Sequence, residues 1–251
     1  MERNNCSQAE RIAIMTDVHQ WLSTVFDHSC RGNVVIEAFG TPGAGKSHFC
    51  ETLNNHAKQR KWNVAHHSID GYPKTRFFRI LLKLTLIIRA CLWRWDLIYV
   101  ACRAVFVFRR INFSDRLRLI FNMLLVFSVI RLRSKSGRPI LMDQGVFQGL
   151  WSCSFCHFPS LESQEVKDIR VLGRKIIKAL DLELLAIVHV TASPEEVIRR
   201  LRNRPVKGRS ILNLLESDLI SRGLSTTARM LELIYDLAES NPNIIVVDVP
   251  A

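Results

Sequence analysis

"FGTPGAGKSHF" runs from Phe39 to Phe49. Four residues separate Gly40 from Gly45, and Lys46 and Ser47 follow at once. A triphosphate needs many hydrogen-bond donors aimed at one small volume. Backbone N–H groups supply them where glycine lets the chain curl tightly. The apolar, β-branched run "NVVIEAF" precedes the loop and reads as a buried strand. "SHFCETLNNHAKQ" follows and reads as a helix, so the loop stands at a helix N-terminus, where anions are favoured. This setting puts Gly40, Thr41, Pro42, Gly43, Ala44, Gly45, Lys46, Ser47 and His48 around the phosphates of a nucleotide. Lys46 would reach the β- and γ-phosphate oxygens, and the Ser47 hydroxyl would ligate Mg²⁺.

Outward from the loop, four more strands are expected, at Asn63–Asp70, Pro139–Gly145, Leu182–Ala192 and Asn243–Pro250. Helical segments at Ser160–Leu180, Pro194–Asn203 and Ile211–Ser240 separate the later ones. Ser7 with Glu10 is a capping-box signal for a helix running toward His28. Ser193-Pro194-Glu195-Glu196 carries both a Ser cap and a proline at the first helical position. Alternating strands and helices predict an α/β fold with a parallel sheet between two helical layers. Ligands in such sheets bind beyond the carboxyl ends of the strands.

Three polar features stand at those ends besides the loop. Asp143 closes the third strand in "ILMDQG" and would hold Mg²⁺ with Ser47. Asp70 closes the second strand in "SIDGYPKTR" and would accept a proton from an acceptor hydroxyl or anchor the acceptor. Arg76 nearby would clamp an anionic acceptor bidentately. After the fourth strand, "RRLRNRPVKGRS" holds Arg200 and Arg204, four residues apart, and then Arg209. Residues 199–210 would form a lid whose arginines close on the triphosphate and neutralise developing charge.

The whole charge imbalance of this chain sits in one place. Of 35 Lys and Arg and 23 Asp and Glu, the segment Arg76–Arg138 holds 14 basic residues and two acids, Asp96 and Asp115. The remainder is balanced, with 21 of each sign. The apolar fraction of 48% suffices for a sizeable core, and 251 residues suit one α/β domain with an insertion. Seven scattered cysteines do not make a disulfide framework, and the polar start "MERNNCSQAERIAIM" is no secretion signal. A cytoplasmic protein is expected. Cys153-Ser154-Phe155-Cys156-His157 spells a haem-attachment pattern, but helix packing is the preferred reading of it.

"GTPGAGKS", the strand-end Asp of "ILMDQG" and "SPEEVIRRLRNRPVKGR", in that order, resemble the nucleoside and nucleotide kinase group of P-loop proteins, above all thymidylate-kinase-like chains. The lid arginines of those chains are matched by Arg200, Arg204 and Arg209. The resemblance covers about three-quarters of the chain and leaves out Tyr72–Arg138. It implies a three-layer P-loop NTPase sandwich with five parallel strands in the order 2-3-1-4-5, ATP as cofactor with Mg²⁺, and a small-molecule phosphoryl acceptor. The chain departs from thymidylate kinases at Asp143-Gln144, where they carry Asp-Arg, and at "DGYPKTR", which looks more like the strand end of uridine-kinase-type enzymes. "DQGVFQGLWS" looks similar to kinase-like proteins of bacterial surface-polysaccharide pathways. The acceptor is therefore open between a nucleoside or nucleotide and a sugar or glycan precursor.

The chain reads as one kinase-like domain over residues 1–251, with a basic, apolar helical insertion at 72–138. The insertion admits three readings: helices packed on the sheet, a face lying on an anionic membrane with Trp93 and Trp95 at the interface, or a site for a phosphorylated or lipid-linked acceptor. Its longest uncharged run, Leu119–Ile130, is short of the ~20 residues a spanning helix needs. Nucleic acid is disfavoured, because no recognised module accompanies the charge. The alternative to a kinase is a membrane-associated, nucleotide-driven ATPase switch. A GTPase would carry an Asn-Lys-x-Asp motif, and this chain has none.

Overall fold

The computed structural model describes residues 33–67, 76–92, 94–108, 111–134, 137–156, 163–203 and 217–250. The strand before the loop, β1 (Val34–Phe39), is buried at every position, as its apolar run, interrupted only by Glu37, suits a strand covered on both faces. It pairs in parallel with β3 (Ile140–Met142) on one side and β4 (Leu184–Thr191) on the other. β2 (Ala65–His67) lies outside β3, and β5 (Ile244–Pro250) lies outside β4. The five-stranded parallel sheet therefore has the expected strand order 2-3-1-4-5. β2 starts at Ala65, two residues later than expected, and Ser68–Asp70 lie outside the described residues.

Eight helices surround the sheet among the described residues: α1 (Lys46–Gln59), α2 (Arg76–Cys91), α3 (Trp95–Phe106), α4 (Phe113–Ser134), α5 (Val146–Cys156), α6 (Ser163–Leu180), α7 (Pro194–Arg202) and α8 (Ser217–Ser240). Side chains of a strand alternate between faces. Val34, Ile36 and Ala38 accordingly enter a smaller core with Cys50 and Leu53 of α1. Val35 and Phe39 point the other way, into a larger core built from α3 to α8. Met123, Phe127 and Ile130 of α4 and Leu97, Ala101 and Val105 of α3 are fully or almost fully buried there. Burying such a side chain contributes about 1.5–3 kcal/mol.

Two local signals are realised differently from one another. Ser193 caps α7 as its sequence predicts: its hydroxyl accepts from the Glu196 backbone N–H at 3.2 Å, with Pro194 at the first helical position. α5 was not among the expected separating helices, although helix packing was the reading of its Cys153–Cys156 end. Within it Cys153 is buried in the larger core and Cys156 packs against that core. The expected helix from Ser7 toward His28 lies outside the described residues, as does His157.

Candidate active site

The loop after β1 turns sharply enough to bring its backbone against β4. Gly40 has φ 149°, and a Cβ there would lie 2.6 Å from the Val190 carbonyl oxygen. No other residue fits, because both the conformation and the space exclude a side chain. Ala44 N–H closes the turn on Thr41 O at 3.0 Å, and α1 begins at Lys46. The first N–H groups of α1 are thus presented at the carboxyl end of the central strand, the arrangement that binds phosphate. Pro42 is half-buried and His48 is exposed at the start of the helix.

Lys46 folds over this loop. Its Nζ donates to Gly40 O at 2.7 Å and to Thr41 O at 3.1 Å. Ser47, one residue on, donates its hydroxyl to Asp143 Oδ2 at 3.4 Å. Asp143 follows β3 and is only 7% exposed. A hydroxyl and a carboxylate side by side are hard oxygen donors of the kind Mg²⁺ takes. The pair proposed for the metal from sequence is therefore brought together by the pairing of β1 with β3, across 96 positions of chain.

Arg200 reaches the same loop from α7. Its Nη1 donates to Ala44 O at 2.9 Å, while its Nε holds Glu196 at 2.5 Å. Arg199 also binds Glu196, at 2.6 and 2.7 Å. Hydrogen bonds first from Arg199 and then from Arg200 hold the Glu196 carboxyl down at about 2. Glu196 thus stays ionised and fixes Arg200 in place. On the inner side, Thr41 is tied to α8. Thr227 spends its one hydroxyl proton on Gly223 O at 2.9 Å, so it accepts from Trp151 Nε1 at 2.9 Å and from Thr41 at 2.8 Å.

One group of this region has no place in the sequence reading. Glu37 lies on the larger-core face of β1 and is wholly buried. Its Oε1 accepts from the Gln148 backbone N–H at 2.7 Å, at the N-terminus of α5. Burial pushes the carboxyl up to about 7, while the backbone N–H groups of Gln148, Phe147, Val146 and Gly145 act in the opposite sense. A Cβ on Gly145 would lie 2.4 Å from Glu37 Cδ, so the carboxyl occupies the space that glycine leaves. Glu37 therefore holds the segment between Asp143 and α5 against β1. Its only sequence signal is an acid within "VVIEAF".

Of the residues proposed from sequence, Gly40 to His48, Asp143 and Arg200 converge on one place. Asp70, Arg204 and Arg209 lie outside the described residues, as does most of the 199–210 segment. Arg76 opens α2, but its side chain is likewise outside the description.

No family model matches the sequence, and no curated protein matches it. Among solved structures, the chain is similar to a deoxyadenosine kinase from M. mycoides with bound dATP. The identity is 15% and the TM-score 0.45, over 86% of this chain and 90% of that one. A likeness of this degree says nothing of what this chain binds.

Proposed function

We propose that the protein is an ATP-dependent phosphotransferase that moves the γ-phosphoryl group of ATP to a small-molecule acceptor. The acceptor would be a nucleoside or nucleotide, or a sugar or glycan precursor. The observation that carries this reading is the bond from Arg200 to Ala44 O, which fixes a guanidinium from the segment after β4 on the phosphate loop. Together with Lys46 and the Ser47–Asp143 pair, it surrounds one small volume with the charges that phosphoryl transfer needs.

In this reading the loop N–H groups from Gly40 to Ser47 bind the phosphates. Lys46 exchanges its carbonyl partners for β- and γ-phosphate oxygens. Ser47 and Asp143 would hold Mg²⁺, which would offset phosphate charge. The acceptor oxygen bonds to the γ-phosphorus, the bond from that phosphorus to the β–γ bridging oxygen breaks, and ADP leaves. Asp70 takes the acceptor's proton or anchors the acceptor, with Arg76 beside it. Arg200, Arg204 and Arg209 spread the developing negative charge and exclude water.

The test is ADP release with Mg²⁺·ATP, with and without a pooled panel of nucleosides, nucleotides, sugars and sugar phosphates. Acceptor-dependent release is expected, falling about 10²–10³-fold in Lys46→Ala. ATP hydrolysis that no acceptor stimulates, but that anionic vesicles do, would replace the kinase with the ATPase switch.

A further inference from the structure

α2 is built inside out. Only Leu86 and Ile87 among its described side chains pack against the core. Phe77, Leu81, Leu84 and Ile88 recur at helical spacing and form one stripe that faces solvent, Phe77 at 71% and Ile88 at 56% exposure. Leu92 continues the stripe beyond the helix end and is equally exposed. α3 follows within four residues and repeats the pattern. Its inner side buries Leu97, Val100, Ala101 and Ala104, while Trp95, Tyr99 and Phe106 share an outer stripe, Trp95 at 75% exposure. Exposed Arg89 and Arg103 border these stripes. Two successive helices thus each present an apolar row to water, inside the one segment that carries the chain's surplus of positive charge. Soluble surfaces rarely carry contiguous apolar area of this kind without a partner.

We infer that the outer faces of α2 and α3 seat the protein on an anionic lipid bilayer. The charge selects this occupant. A second copy would bring the same positive surface to the contact: residues 76–106, which span α2 and α3, carry six Lys and Arg against one acid, Asp96, so the two faces would repel. A nucleic acid would satisfy the charge and stack bases on the aromatic rings, but it has no apolar phase to take Leu81, Leu84, Ile88 and Leu92. An anionic bilayer meets both needs: acyl chains take the stripe, headgroups take the flanking arginines, and Trp and Tyr favour the boundary between them. Among the described residues no helix is long and apolar enough to cross a membrane, so the contact lies in the interface plane.

The experiment is cosedimentation of the full chain with vesicles of phosphatidylcholine alone, and of phosphatidylcholine with about one-third phosphatidylglycerol. Binding to the second and not the first is expected, and raised salt should weaken it at least about tenfold. Phe77→Ser with Ile88→Ser, and separately Arg89→Glu with Arg103→Glu, should each cut partitioning about tenfold or more while the thermal melt stays where it was. All four residues are exposed, so folding should survive. Brominated lipids should quench tryptophan emission, and Trp95→Phe should reduce that quenching. The inference is overturned if the chain stays in the supernatant while anionic vesicles pellet at low salt, or if both double variants bind as the parent does. A dimer by light scattering without vesicle binding would give the face to a second copy and overturn it too.

Discussion

Glu37→Gln keeps the shape of a buried side chain and removes its charge. The parent carboxyl ordinarily titrates at 4.5, and burial lifts it to about 7 in the folded protein. Between those values the folded chain holds a proton that the unfolded chain has lost. Its contribution to stability is therefore complete below about pH 4.5 and disappears as the pH rises through about 7. The displacement corresponds to about 3 kcal/mol, or roughly 6–12 °C in Tm for a domain of this size. Two histidines on β2 act oppositely. Burial, aided by Arg133, drives His67 down to about 4, and burial lowers His66 as well. Their contributions are present above about 6.5 and lost on acidification, so the parent profile alone is a sum of opposed parts. The informative quantity is the stability of the parent minus that of Glu37→Gln, measured by urea denaturation from pH 4 to pH 8 without Mg²⁺ or nucleotide. It should fall by about 3 kcal/mol across that range, most of it between pH 4.5 and 7.5. A difference that is flat, or that rises with pH, would refute the reasoning, because the carboxyl would then be ionised throughout and α5 would be capped by a carboxylate.

Three further outcomes are expected. Gly145→Ala forces a Cβ to within 2.4 Å of Glu37 Cδ, and the buried acid has no solvent to swing into; a loss of about 1–3 kcal/mol in urea denaturation is expected, and a neutral result would mean that α5 moves freely. Asp143→Asn should raise the Mg²⁺ concentration for half-maximal ADP release about 10–100-fold, and an unchanged Mg²⁺ titration would take Asp143 out of the proposed metal site. Thr227→Val strips Trp151 Nε1 and Thr41 Oγ1 of their shared acceptor and should cost about 1–3 kcal/mol for each donor left unpaired, whereas Thr227→Ser should restore the parent melt.

What was legible in the sequence was what neighbouring residues decide together. The tight loop after β1 is set by glycines within six positions, and β1 by an apolar run broken only at Glu37. Ser193 and Pro194 announce α7 because a Ser cap acts on an N–H three residues away. Strand ends are polar where ligands bind, which is why the sequence pairs Asp143 with Ser47, and the fold holds them 3.4 Å apart. The strand order was accessible only through resemblance, since nothing local says which strand lies beside which.

α5 shows the opposite case. An acceptor for its first turn comes from far away: Glu37, 111 positions earlier on β1, accepts from the Gln148 backbone N–H. The sequence shows an acid in a strand, and only the sheet shows that the acid faces a helix N-terminus. In the same way the spacing of Phe77, Leu81, Leu84 and Ile88 establishes a stripe on α2 but not which way it points. Packing of Leu86 and Ile87 on the core turns that stripe outward. Backbone curvature and helix periodicity are written in adjacent residues, because their causes are steric and local. Which buried charge meets which orphaned N–H, and which apolar face meets water, depends on elements far apart in the chain, and only the tertiary structure decides it.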